Sequence, residues 1–263
     1  MGGRLDLTTV QIALLCLAAF TGGTIDAIAG GGGLITVPAL LAVGLPPHAA
    51  LGTNKGQSVF GSFAAIVRYT HAGLIDGRIS RISVPLGVLG SLGGASLALL
   101  IRPEVLRPLV LVLLVAAAIV IGSGRVRLTG SAPSPRPHLA FWIAGLALVT
   151  GAYDGFFGPG TGTFIIAGYV AVANLTLARA SAEAKVLNFA SNLTALVLFS
   201  LHGAVFWRVA LPMAVAQLAG GYFGAHLTVA RGDRVVRVVA IAVVSALLVK
   251  IAIDMVRDAG LTS

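Results

Sequence analysis

Hydrophobic residues fill this chain in long stretches instead of alternating with polar ones. The first half carries apolar segments at residues 7–29, 34–43, 58–69 (with a start as early as 49), 82–101 and 106–121. The second half repeats the order at residues 139–157, 163–173, 180–201, 209–230 and 235–256. Several segments reach the roughly 20 residues that an α-helix needs to cross a bilayer. The pattern predicts an all-α membrane protein, folded as a polytopic helical bundle.

Matched residues, as well as matched hydropathy, relate the two halves. Asp26 corresponds to Asp154, and Pro85 corresponds to Pro212. We therefore predict two transmembrane repeats, residues 1–121 and 139–263, joined by a linker at residues 122–138 that contains Gly, Ser, Pro and Arg. Arginines in the linker and in two other loops fall on one side of the membrane if each half crosses it an odd number of times. That parity predicts repeats of inverted topology.

Two matched segments, residues 34–43 and 163–173, are too short to span a membrane. Each follows glycine-rich sequence and precedes a break. Polar backbone at membrane depth is tolerated only where it lines a cavity or is buried in protein. We therefore expect each short segment and the segment after it to form broken or re-entrant helices. They should meet near the midplane, where transporters with such segments bind their substrates.

Composition supports the membrane assignment. The chain is 57% hydrophobic and 10% charged, whereas soluble domains carry about 25% charged residues. The formal net charge is +9, but most arginines lie between apolar segments, where they meet anionic headgroups. No basic run is interleaved with aromatic residues, so we expect no nucleic-acid partner. We expect a multi-pass protein of the inner cell membrane, with the lipid bilayer as its surroundings.

A charged motif occurs once in each half, inside apolar sequence. Asp26 is followed by four glycines and then by Lys55, while Asp154 is followed by Gly-Pro-Gly-Thr-Gly and then by Lys185. These are two of only three lysines in the chain. A charge in the hydrocarbon core is costly and usually marks function. The repetition predicts two half-sites that combine into one.

Donor groups accompany both lysines. Glycines at the start of a short helix leave N–H groups free at the positive end of the helix dipole, which favours an anion, and lysine acts on such a ligand as a compact point charge. The predicted substrate-binding residues are Gly32, Gly33, Thr53, Asn54, Lys55, Gln57, Ser58, Gly160, Thr161, Gly162, Thr163, Lys185, Asn188 and Asn192. The predicted substrate is a small anion with several oxygen atoms.

The acidic residues have more than one interpretation. Asp26 could pair with Lys55, and Asp154 with Lys185, which would hold the broken helices together because charges in membrane segments are usually paired. The aspartates could instead carry protons and couple transport to a proton gradient. Glu183, two residues before Lys185, is a second candidate proton carrier.

Catalytic chemistry has little support in the sequence. Cys16 has no nearby histidine, and no Ser–His pair is apparent. The spacing of His, Cys and carboxylate residues fits no metal site, and the stretch Gly-Thr-Asn-Lys that ends at Lys55 lacks the P-loop pattern. We therefore predict that the protein is not an enzyme and that it has no catalytic residue, metal or cofactor.

Both halves contain stretches that resemble the TauE/SafE family. These are GGGGLITVP (30–38) with GLPPHAALGTNK (44–55), and GFFGPGTGT (155–163) with AKVLNFASN (184–192). The similarity covers nearly the whole chain, although Gly56 stands where we expect a bulkier residue. Members are linked to export of sulfite and organosulfonates, so the resemblance implies a sulfur oxyanion or sulfonate as the substrate.

The predicted function is secondary transport, in the direction of export, by alternating access around a midplane anion site. The residues do not set the direction, so import of thiosulfate or another small anion is an alternative. An anion channel is a second alternative. The sequence is compatible with an oligomer.

Overall fold

The computed structural model describes residues 7–122 and 138–242. This part of the chain consists of α-helices joined by short loops, and it contains no strand. Its helices are α1 (Thr9–Ala29), α2 (Gly33–Ala42), α3 (Pro47–His71), α4 (Gly77–Leu100), α5 (Pro103–Gly122), α6 (Leu139–Phe156), α7 (Thr161–Ala173), α8 (Leu177–Leu201) and α9 (Trp207–Arg231). A further helix, α10, is described over residues 233–242. Residues 123–137 of the predicted linker and 243–256 of the last apolar segment, which includes Lys250, lie outside the described residues.

Local sequence signals explain where several helices begin. Thr8 and Gln11 form a reciprocal capping box at the start of α1. Pro47 is the first residue of α3, where its missing N–H costs nothing. Thr176 caps α8 through its hydroxyl group. These caps fix the ends of the long helices that carry the charged residues.

The structure confirms the two short helices and the breaks expected after them, at residues 43–46 and 174–176. The helices α2 and α7 have 10 and 13 residues. The helices α3 and α8 are each continuous over 25 residues, so each pair is interrupted only between its short and its long helix, and re-entry into the membrane stays a prediction. At Gly52 of α3, a Cβ would collide with the carbonyl oxygen of Ala204. That glycine permits close helix packing and does not break α3.

The two halves are interleaved. The helix α4 packs along α6, and its counterpart α9 packs along α1, while α3 lies between α8 and α9. Small residues make these approaches possible: a Cβ on Gly94 would collide with the carbonyl oxygen of Ala152, and one on Gly220 with that of Phe20. Each half therefore completes the packing of the other.

Apolar side chains cover the outside as well as the inside of the bundle. Leu14, Val149, Leu211 and Val215 are among the exposed large hydrophobic residues. Among the described helices, four (α1, α4, α6 and α8) are long and apolar enough to cross a membrane by length and composition. An apolar exterior around buried charged residues is the arrangement expected of a helical membrane protein. The predicted fold class is confirmed in this respect, while the inverted topology stays a prediction.

Candidate functional site

Each buried lysine pairs with an aspartate from the other half of the chain. Lys55 Nζ of α3 lies 3.0 Å from Asp154 Oδ1 of α6. Lys185 Nζ of α8 lies 2.7 Å from Asp26 Oδ2 of α1. The alternative in which each half pairs its own lysine with its own aspartate is therefore wrong.

The exchange of partners follows from how the glycine-rich segments meet. Gly30, which ends α1, packs so closely on Gly162 at the start of α7 that neither could carry a Cβ. A Cβ on Gly33 would lie 2.9 Å from Pro159 Cα. These contacts bring the end of α1 beside the start of α7, and so they carry Asp26 of the first half to the lysine of the second.

Lys55 and Asp154 form a pair that several further contacts support. Lys55 Nζ also donates a hydrogen bond to the main-chain oxygen of Asp154, and Ser191 Oγ donates one to Asp154 Oδ2. Gly158, whose φ is +95°, packs directly against the pair, since a Cβ at this residue would lie 2.7 Å from Lys55 Nζ. Loss of one partner from such a buried pair costs about 3–5 kcal/mol.

Lys185 and Asp26 form the second pair, with fewer supporting contacts. Asp26 Oδ1 accepts a hydrogen bond of 3.3 Å from the backbone N–H of Gly32, which precedes α2. Asn188 lies one turn after Lys185 on α8, and its Oδ1 atom is buried without a hydrogen-bond partner among the described residues. Asn188 thus adds an amide oxygen without a hydrogen-bond partner among these residues, one turn from a buried ammonium group.

A third group of polar side chains joins α2 to α3. Asn54 Oδ1 accepts hydrogen bonds from Thr36 Oγ1 at 2.6 Å and from Gln57 Nε2 at 3.0 Å. The Oε1 atom of Gln57 is buried and has no hydrogen-bond partner in the described part of the chain. Asn54 and Gln57 therefore order the start of the first half-site and leave one acceptor unused.

Two predicted site residues lie elsewhere and act as helix caps. Glu183 Oε1 accepts a hydrogen bond from the backbone N–H of Asp76, and Ser80 Oγ donates one of 3.1 Å to Glu183 Oε2. Thr53 Oγ1 accepts a hydrogen bond of 2.9 Å from the backbone N–H of Phe206. Glu183 of α8 thus lies beside the start of α4, and Thr53 of α3 lies beside the start of α9. Both residues are outside the two charge pairs.

The other predicted residues adjoin the two pairs or support the backbone around them. Thr161 Oγ1 donates to the carbonyl oxygen of Gly158, and Thr163 Oγ1 donates to that of Ala29. Asn192 Nδ2 donates to the carbonyl oxygen of Asn188. Gly160 is the N-cap residue of α7. Ser58 is half-buried in α3.

Ser191 is the site residue that the sequence prediction omitted. It bonds to Asp154, and it follows Lys185 and Asn188 on α8 at six and three residues. Residues three or four apart on a helix share a face. The sequence therefore held a signal for Ser191, but only once this stretch is known to be helical.

The arrangement is closed around its charges. Lys55 and Lys185 are 1% and 0% exposed, so an anion can reach either ammonium group only after the packing around it opens. The site combines two buried cations, two carboxylates and two unpartnered amide oxygens. Such a site can hold a small anion by exchanging a carboxylate for it.

Comparison with known proteins finds membrane transporters among the relatives of this chain. Residues 15–251 match the family model described as sulfite exporter TauE/SafE. A probable membrane transporter protein, ORF9, of a Sinorhizobium species is 36% identical over 249 residues, covering 95% of each chain. The probable membrane transporter protein YfcA of Escherichia coli K12 is 33% identical over 252 residues, covering 94% of this chain and 92% of its own.

A third relative extends the agreement. A probable membrane transporter protein of Haemophilus influenzae is 35% identical over 236 residues, covering 89% of this chain and 91% of its own. No solved structure is significantly similar to the chain. The family match spans both charged motifs and most of the described helices. The chain therefore belongs to the sulfite exporter TauE/SafE family of membrane transporters.

Proposed function

We propose that this protein exports a small sulfur-containing anion, such as sulfite or an organosulfonate, across the inner cell membrane as a multi-pass secondary transporter. The observation that carries the proposal is the pair of fully buried lysines, each held by an aspartate of the opposite half. Buried ammonium groups suit an oxyanion, because they donate charge-assisted hydrogen bonds to its oxygen atoms. The family description supports sulfur chemistry, and the residues themselves support a small anion.

Alternating access is favoured over a permanently open channel. An open pore would expose its selectivity residues to water, yet both lysine side chains are almost completely buried. Both ion pairs join one half to the other, so rearrangement of the halves would expose the lysines. That the aspartates carry protons, and that transport is coupled to a proton gradient, stays a prediction.

The direct test is sulfite flux into proteoliposomes that contain the purified protein. We expect Lys185→Gln to abolish flux, because an uncharged amide cannot replace the ammonium group that attracts the anion. Arg81→Gln removes the same formal charge from an exposed residue at the start of α4, and we expect it to retain flux.

The outcomes separate the alternatives. Equal flux in Lys185→Gln and wild type, at equal amounts of folded protein, would contradict the role given to the site. Flux that is ohmic and insensitive to any ion gradient would indicate an anion channel. Thiosulfate uptake without sulfite flux would indicate an importer of a different sulfur anion.

A further inference from the structure

The two charge pairs differ in their surroundings, although the sequence repeats them. The Asp154 carboxylate accepts hydrogen bonds from Lys55 Nζ and from Ser191 Oγ, and its side chain is 3% exposed. Asp26 receives one bond from Lys185 and a longer one from the backbone of Gly32, and its side chain is 17% exposed. Asp26 is therefore the easier carboxylate to displace.

A single aligned position accounts for much of the difference. Ser191 of α8, six residues after Lys185, donates a hydrogen bond to Asp154. The matching residue of α3, six residues after Lys55, is Gly61, which has no hydroxyl group. A Cβ on Gly61 would lie 2.5 Å from Gln217 Cγ of α9. The close packing of α3 on α9 therefore leaves no room for a residue that would fix Asp26 in the same way.

The lysines differ in the same sense. Among the described residues Lys55 Nζ donates two hydrogen bonds, whereas Lys185 Nζ donates one, to Asp26. An ammonium group has three donors, so Lys185 keeps unused capacity. Asn188 Nδ2 and Lys185 Nζ lie 3.3 Å and 3.4 Å from the position that a Cβ on Gly162 would occupy. Two nitrogen donors of α8 thus converge beside Gly162, and Asn188 is 4% exposed with its Oδ1 atom unpartnered among the described residues.

We propose that Lys185 binds the transported anion by releasing Asp26, while Lys55 and Asp154 stay paired as the fixed contact between the halves. Asp26 is then an internal competitor that holds Lys185 when no substrate is present. The exchange is easier at Asp26 because its second hydrogen bond, from the backbone N–H of Gly32, is long at 3.3 Å and because the carboxylate is closer to solvent. This inference rests on the proposed function and assigns its two half-sites different roles.

The test compares two matched neutral substitutions, Asp26→Asn and Asp154→Asn. In purified full-length protein, equilibrium binding of sulfite is measured at fixed ionic strength, and the melting temperature is measured without ligand. We expect Asp26→Asn to bind sulfite at least about tenfold more tightly, since the competing carboxylate is gone. We expect Asp154→Asn to bind no more tightly and to melt about 10 °C lower, or to fail to accumulate.

Three results would overturn the proposal. These are unchanged or weaker binding in Asp26→Asn, failure of Asp26→Asn to accumulate, and equal effects of the two substitutions on binding and melting. The melting comparison needs no ligand, so it stands even if wild-type protein binds no sulfite. In that case the proposed substrate is wrong, and a larger loss for Asp154→Asn would still support the distinction between a fixed and an exchanging pair.

Discussion

At the scale of single residues, Glu183 and Thr53 have the same task. They occupy aligned positions on α8 and α3, and each accepts a hydrogen bond from the backbone N–H that precedes a neighbouring helix. A free N–H at a helix start is costly when it is buried. The repeat has thus kept the acceptor while changing the residue type, which argues that Glu183 is a cap and not a proton carrier.

Glu183→Gln should therefore retain sulfite flux, because the amide oxygen can still accept the hydrogen bond from Asp76. Glu183→Ala and Thr53→Val should each lower the free energy of unfolding by about 1–3 kcal/mol, since each leaves a backbone N–H without its acceptor. Flux in proteoliposomes and thermal melting measure the two effects separately. Abolished flux in a folded Glu183→Gln protein would restore the proton-carrier interpretation.

The charged residues show what sequence can and cannot predict at this scale. Their clustering was predictable, because buried charges need partners and only four matched candidates occur in the two motifs. The choice of partner was not, because Asp26 reaches Lys185 only through the packing of Gly30 on Gly162. Pairing of this kind depends on contacts between residues far apart in the chain.

At the scale of helices, apolar periodicity located most of the bundle. The predicted segments 7–29, 34–43 and 163–173 agree closely with α1, α2 and α7. The prediction left the start of α3 open between 49 and 58, because Thr53, Asn54 and Gly56 interrupt the apolar run, and the helix begins at Pro47. These residues lie inside the helix because the fold supplies hydrogen-bond partners to the polar side chains and a close neighbour to the glycine.

Two adjacent glycines of α4 allow a matched test of helix packing. A Cβ on Gly94 would collide with the carbonyl oxygen of Ala152 in α6, whereas a Cβ on Gly93 meets nothing within 4 Å. Gly94→Ala should lower the free energy of unfolding by about 1–3 kcal/mol through overpacking. Gly93→Ala should be neutral or stabilising by up to about 1 kcal/mol, as alanine favours helix.

Thermal melting of the two alanine variants in the same detergent checks this prediction. The two variants make the same glycine-to-alanine change at adjacent positions of one helix, so the effect of helix propensity is the same in both. Equal melting temperatures for Gly93→Ala and Gly94→Ala would contradict the close approach of α4 to α6.

At the scale of the whole molecule, the two halves form one structure. The first helix of each half packs along the fourth helix of the other, and each aspartate pairs with the lysine of the opposite half. The repeat was visible in the sequence. The packing of helices from one half along helices of the other was not, because hydropathy carries no information on which helices are neighbours. The substrate site proposed here lies at this shared interface, so any movement of one half against the other acts on it directly.

The most direct test of this account is an experimental structure of the protein in a lipid bilayer mimic with sulfite bound. We expect the anion between the halves, within hydrogen-bond distance of Lys185 Nζ and Asn188, with Asp26 released and Lys55 still paired to Asp154. An anion bound away from both lysines, or one bound while both ion pairs stay intact, would contradict the proposed site.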